Sequence, residues 1–195
     1  DPAELRGIIK LMAIDDPVLP AAAYLSGEHA DDALRPAIEY AGGRLDTFRC
    51  SQVHYRPGHD LVARSRCDVD WGDGRPRRET VYIGTTRDGA PANTIHVTAS
   101  VDGDDLLAGV WRWPFDPALP ALESITGSAA EVLAEVGVAP SSPPSAKVVA
   151  YRPTERAVLR FDGGDTAWFA KLVRPDQAAG IVRRRNLLAA HGLPV

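Results

Sequence analysis

The sequence predicts an α+β protein: antiparallel sheets with flanking helices. Three observations lead there. Strand-like runs at 46–56, 60–71 and 78–86 are separated by the turn clusters RPGHD and WGDGRP. These are too short for a crossover helix, so neighbouring strands must run antiparallel. Apolar residues at helical spacing are confined to stretches before and after the strand-rich segments. Finally, 195 residues at 45% hydrophobic and 25% charged suffice for one sizeable core or two small ones.

Taken in order, residues 4–14, 17–26 and 28–41 read as helices, the last stopped by Gly42 and Gly43. Residues 94–101 and 106–113 form a further strand pair around the turn DGDD, and short strands linked this way suggest a meander or curl. Residues 113–122 (WPFDPALPAL) hold too much proline for a long regular element, whereas 127–137 is a credible amphipathic helix. The Pro- and Ser-rich stretch 141–146 is the predicted linker. Strands at 147–152, 156–162 and 166–173 follow, then a helix over 176–190 closed by Gly192. The expected division is therefore a region 1–140, the linker, and a unit 147–195.

A net charge of −4 gives no reason to expect nucleic acid or an anionic membrane as partner. No apolar run approaches the ~20 residues that span a bilayer. Two cysteines make no disulfide framework, which points to a reducing cytoplasm. If the 51–66 segment turns over residues 57–60, Cys50 and Cys67 fall opposite each other; the pair is read as two buried free thiols, with a bridge the alternative. The five histidines lack metal-ligand spacing, and no serine sits in a G-x-S-x-G elbow.

Two segments begin alike, YRPGHDLVARS from Tyr55 and YRPTERAVLRF from Tyr151. Their likeness marks either a structural duplication or chance. Aligning them sets Gly84 against Lys171. The latter lies in AWFAKLV, where strand alternation groups Phe169, Lys171 and Val173 on one face. That face is expected to be half-buried, and Lys171 is either a plain outward lysine or a phosphate anchor in a cleft.

The segments VWRWPFDPALPAL, AKVVAYRPTERAVLRF, FAKLVRP and LLAAHGLPV together resemble actinobacterial members of the aminoglycoside phosphotransferase/choline kinase-like superfamily, in which, as in maltokinase-like enzymes, a cap precedes the kinase lobes. The resemblance is most specific over 110–195. It implies that residues 1–140 are a cap and 147–195 the start of the ATP-binding lobe, that Lys171 holds the ATP phosphates, and that the hairpin from Tyr151 covers the nucleotide; because that hairpin has no glycines, it is either a plain tight turn or offers Arg156 and Arg152 as side-chain donors in their place. ATP and magnesium are the implied cofactors. A sugar or aminoglycoside-like acceptor and a C-terminal kinase lobe are the implied partners.

The chain departs from that pattern. It has no catalytic H-x-D-x-x-x-x-N stretch and no metal ligand set, and the helix after Lys171 offers Arg183-Arg184-Arg185-Asn186 where a glutamate is expected. By itself it is expected to be catalytically silent. The competing reading is a stand-alone α+β domain that binds a ligand or protein. A partial lobe should leave Phe169, Leu187 and Leu188 uncovered, giving it a route to self-association, whereas a complete domain should bury them.

Overall fold

The computed structural model describes residues 14–26, 30–101 and 104–193; of the helix expected over 4–14, residues 4–13 lie outside them and Ile14 is not helical. The architecture is α+β, with one five-stranded and one three-stranded antiparallel sheet flanked by helices. Two compact units divide it, Asp1–Trp113 and Pro114–Val195. The division falls before the Pro/Ser stretch, which instead connects helix to strand inside the second unit.

In unit 1, α1 (Ala21–Leu25) and α2 (Ala30–Tyr40) precede β1 (Arg44–Arg56), β2 (Asp60–Asp70), β3 (Arg77–Thr86), β4 (Ile95–Val101) and β5 (Asp104–Arg112). Ala30, Ala33, Leu34, Ala37 and Ile38 recur at helical spacing and are the buried residues of α2. They join Leu25 and alternate residues of the sheet, among them Leu61, Ala63, Cys67, Val69, Val81, Ile83, Ala108 and Val110, in one core. The strand order is β1-β2-β3-β5-β4, not that of a simple meander, because β5 pairs with β3 and β4 takes the edge. Glycine makes this possible. Gly84 lies opposite Gly109, and a Cβ on Gly109 would sit 2.2 Å from Thr94 Oγ1, so only glycine lets the connection to β4 pass there.

The cysteines are free, and their expected opposition is corrected. The β1–β2 hairpin closes Arg56 on Asp60, leaving a three-residue loop instead of four, and a bulge at Ser51 shifts the register again. Cys50 therefore faces Ser65, and Cys67 faces Phe48. Burial pushes the Cys67 thiol up to about 12.

In unit 2, α3 (Ala121–Gly127) and α4 (Ala129–Glu135) pack on β6 (Ser145–Arg152), which continues into β7 (Arg156–Asp162), β8 (Ala167–Val173) and α5 (Pro175–Ala190). The proline-rich segment thus contains a short helix, begun at Pro120, whose ring fixes the backbone near helical φ. Ala157, Leu159, Phe161 and Leu172 fill the inner face of the sheet, while α5 buries none of its residues.

The two units repeat one another atom for atom at their least regular points. Asp16-Pro-Val-Leu-Pro precedes α1, and Asp116-Pro-Ala-Leu-Pro precedes α3. Asp16 Oδ1 accepts N–H bonds from Val18 and Leu19; Asp116 Oδ1 accepts them from Ala118 and Leu119. The second oxygen of Asp16 accepts from Tyr55 Oη (2.7 Å) and Gly58 N (2.8 Å), and that of Asp116 from Tyr151 Oη (2.6 Å) and Thr154 N (2.8 Å). Ser26 and Thr126 each cap back onto carbonyls three and four residues earlier. Gly42 and Gly137 end the second helix of each unit with positive φ and paired bonds to its last turn. The shared Tyr-Arg-Pro words are thus the hairpin half of a clamp that each unit builds in full.

Candidate functional site

The outer face of the β6-β7-β8 sheet gathers the three residues singled out from sequence. Arg152 pairs with Arg156, and Arg156 with Val173. One row along, Ala150 pairs with Val158, and Val158 with Lys171. Lys147, Arg160 and Phe169 form the next row. Directly opposed residues place their Cβ atoms about 5 Å apart, so Lys171, Arg156 and Arg152 lie within side-chain reach of one another around Val158.

A bulge at Val149 helps build this face. Without the extra residue, Lys147 and Arg152 would project from opposite sides; with it, both stand beside the β7 arginines. Sequence alternation alone missed Lys147 for that reason. The face is also more open than expected. Lys171 is exposed and Phe169 is 66% exposed, because β8 is an edge strand and this side lies opposite the one packed with Leu159 and Phe161.

Like charges stand directly across the ladder on this face, as Arg49 and Arg66 do in unit 1. Arg152 opposes Arg156, and Lys147 opposes Arg160. Like charges directly across a ladder are destabilising. Two carboxylates relieve part of this: Glu155 reaches Arg152 at 2.9 Å, and Asp162 reaches Arg160 at 2.6 Å. Among the described residues, Arg156, Lys147 and Lys171 make no ion pair. Residues 145–195 hold nine Lys and Arg against four Asp and Glu, within a chain of net charge −4. The arrangement can hold a polyvalent anion, with Val158, Ala150 and Phe169 as an apolar floor beside it.

The loop that joins β6 to β7 cannot hold the same anion through its backbone. Pro153 has no N–H, Thr154 gives its N–H to Asp116, and Glu155 gives its N–H to the Arg152 carbonyl. Thr154 sits at φ +60°, a left-handed conformation that the equivalent Gly58 adopts freely at +67°. Asp116 and Tyr151, which hold this loop, were not anticipated; the D-P-x-L-P word, repeated 100 positions apart, is the signal that reveals them. On α5, Arg183, Arg184, Arg185 and Asn186 are exposed, and Asp176 is taken by Arg174 at 3.0 Å, so this helix presents no carboxylate partner for Lys171 in those turns. Among the described residues no three His, Cys, Asp or Glu side chains are grouped to hold a metal ion.

Unit 1 shows the same scaffold with different side chains. Its register places Gly84 opposite Val62, as Lys171 stands opposite Val158. A Cβ on Gly84 would lie 3.1 Å from the Trp111 ring and 3.2 Å from the Leu61 carbonyl. Asp60 stands where unit 2 has Arg156, and it pairs with Arg56 through Nε at 2.8 Å. The clamp carboxylate is itself perturbed: the Gly58 N–H, then the Tyr55 hydroxyl, hold Asp16 below the usual aspartate range, while the same bond raises Tyr55. Unit 1 also has a groove of about 500 Å³ between α2 and β4, lined by Asp32, Pro36, Tyr40, Ile95, His96 and Thr98. It includes none of the cations described above.

Among the described residues, no helix is long and apolar enough to cross a membrane. No family model matches the chain. No curated protein and no solved structure matches it either.

Proposed function

We propose that unit 2 is the nucleotide-holding sheet of a cytoplasmic small-molecule phosphotransferase, and that unit 1 is its amino-terminal cap. The observation that carries this is the opposition of Arg152 to Arg156, and of Lys147 to Arg160, beside an unpaired Lys171. Glu155 and Asp162 relieve part of that repulsion, and an anion on the face would relieve more of it. A nucleoside triphosphate has both parts the face suits: phosphates for Lys171, Arg156 and Arg152, and a flat base for Val158, Ala150 and Phe169. The order of three antiparallel strands, with the lysine in the third and a helix after it, agrees with the resemblance drawn from sequence.

Within this reading the chain binds and orients the nucleotide, and the acceptor is a sugar or aminoglycoside-like hydroxyl compound. A magnesium ion would neutralise charge on the phosphates when bound. The carboxylates that would hold it, and the base for the acceptor, are assigned to a second lobe, since the described residues group no such set. The exposure of Phe169, Leu187 (59%) and Leu188 (41%) agrees with a surface meant to be covered by that lobe.

The test is titration of ATP into the 195-residue chain, followed by backbone amide NMR. The expected result is millimolar affinity, about −4 kcal/mol, with shifts centred on 150–158 and 168–173 and lost in Lys171→Ala. Shifts centred on the α2–β4 groove, or unchanged in Lys171→Ala, would favour the stand-alone ligand-binding domain. Micromolar affinity lost in Lys171→Ala would show that the site is complete on this chain, against the partial-lobe reading.

A further inference from the structure

The sheet of unit 1 has two edges, and they are built differently. β1 carries Arg44, Asp46, Arg49 and Arg56 and is interrupted by two register shifts, devices that keep an edge from pairing with a further strand. β4 reads IHVTASV, with no Lys, Arg, Asp, Glu or proline, and it runs along β5 without a register shift. Among the described residues its other side has no strand partner, since β4 ends the order β1-β2-β3-β5-β4.

The groove between α2 and β4 runs along that open side. All of residues 94–98 line it. Consecutive strand residues point to opposite faces, so what these five share is the backbone edge with its N–H and C=O groups. The opposite wall is one stripe of α2, formed by Asp32, Ala33, Pro36, Ala37 and Tyr40 at helical spacing. Short side chains at 33, 36 and 37 keep the channel open between helix and strand, and Tyr40, 84% exposed, ends the stripe. The Asp32 end is negative: burial, then the charges of Asp32 and Asp31, push the Tyr24 hydroxyl up.

We infer that this groove takes an extended peptide segment of a partner protein, which adds a strand to β4 and places a Lys or Arg side chain beside Asp32. The open ladder edge supplies the backbone hydrogen bonds of such a strand, and the α2 stripe covers its far side. From Asp32 to Tyr40 that stripe is about 12 Å long, which an extended chain crosses in about four residues. Charge decides between a partner and a second copy of this chain. The β4 of a second copy has no Lys or Arg to bring to Asp32, whereas a basic peptide complements that end of the groove. The inference goes beyond the nucleotide reading and does not depend on it, because the groove lies wholly in unit 1.

Selection of random octapeptides displayed on phage against the immobilised 195-residue chain gives the test. Selected sequences should carry a Lys or Arg and place β-branched or aromatic residues at alternate positions. As synthetic peptides they should move the amide NMR signals of residues 94–98, and at ten times Kd should slow exchange of the amides pointing away from β5 about tenfold. Methylating alternate backbone nitrogens of the peptide should abolish binding in one phase and spare it in the other, because only every second N–H of an added strand faces β4. Asp32→Asn should weaken the peptide about two- to fivefold, and should leave unchanged a peptide with Gln in place of its basic residue. No selected sequence, shifts centred elsewhere, equal binding by both methylated peptides, or unchanged affinity in Asp32→Asn would overturn the inference. Protection of 94–98 that grows with protein concentration in the absence of peptide would overturn it in favour of pairing between copies.

Discussion

Substituting Asp116→Asn keeps the shape of the clamp and removes half of its acceptors. The carboxylate is 3% exposed and takes four hydrogen bonds, two on each oxygen. An amide has one oxygen. If it stays with Ala118 and Leu119, the NH₂ faces Thr154 N–H; the Tyr151 hydroxyl can turn and accept, but the Thr154 amide cannot. An orphaned buried donor costs about 1–3 kcal/mol, and the remaining bonds lose their charge assistance. Thr154 is also held at positive φ, which costs a non-glycine residue about 1–2 kcal/mol and is stabilised here by the bond being broken. A loss of about 3 kcal/mol is expected for unit 2, roughly 12–24 °C in Tm for a unit of this size. The assay is urea-dependent hydrogen exchange at β7 amides, which reports unit 2 separately from unit 1. Thr154→Gly should act in the opposite sense, raising stability by up to about 1 kcal/mol as strain relief outweighs glycine entropy. A loss below about 0.5 kcal/mol in Asp116→Asn would refute the reasoning, since the clamp would then be incidental.

Two further outcomes follow from unit 1. Because Asp16 is held below the usual aspartate range, its contribution is present above the unfolded pKa of about 4 and is lost as pH falls through the folded value. Tyr55 is raised, so its contribution is present below about pH 10 and is lost above that, as pH rises through the folded value. Stability of unit 1 against urea should therefore be flatter between these limits than outside them, and Asp16→Asn should weaken both slopes; equal slopes in wild type and variant would contradict the assignment. Separately, Gly84→Lys should destabilise unit 1 by about 1–3 kcal/mol, because the new Cβ meets Trp111 and the Leu61 carbonyl. Adding Trp111→Ala should not restore stability, since the backbone contact persists and the Tyr82 stack is gone; recovery to wild-type stability in the double variant would show the ring alone to be the obstacle.

Much of the fold was legible because strand periodicity is local. RAVLRFD alternates outer Arg, Val, Arg and Asp with inner Ala, Leu and Phe, and β7 follows that pattern residue for residue. What escaped is set by single residues that leave no periodic trace. The bulge at Ser51 and the three-residue loop moved Cys50 away from Cys67, and the bulge at Val149 brought Lys147 to the face of Arg152. The order β3-β5-β4 turns on a glycine and the loop crossing it, which strand propensity does not encode. Lys171, Arg156 and Arg152 could be picked out by residue type, but their convergence needed the register.

The repeat also separates what the scaffold requires from what it does not. Both units keep the aspartate, the tyrosine hydroxyl and the left-handed loop residue, with matching bonds. The clamp therefore belongs to the scaffold, and its presence says nothing about a ligand. The cations differ. Where unit 2 opposes Arg152 with Arg156, unit 1 opposes Arg56 with Asp60 and forms an ion pair. Where unit 2 has Lys171, unit 1 has Gly84 beneath Trp111. The same backbone thus folds with these charges neutralised or absent, so folding does not call for them. In unit 2 they stand as like-charged pairs across the ladder, relieved in part by Glu155 on Arg152 and Asp162 on Arg160.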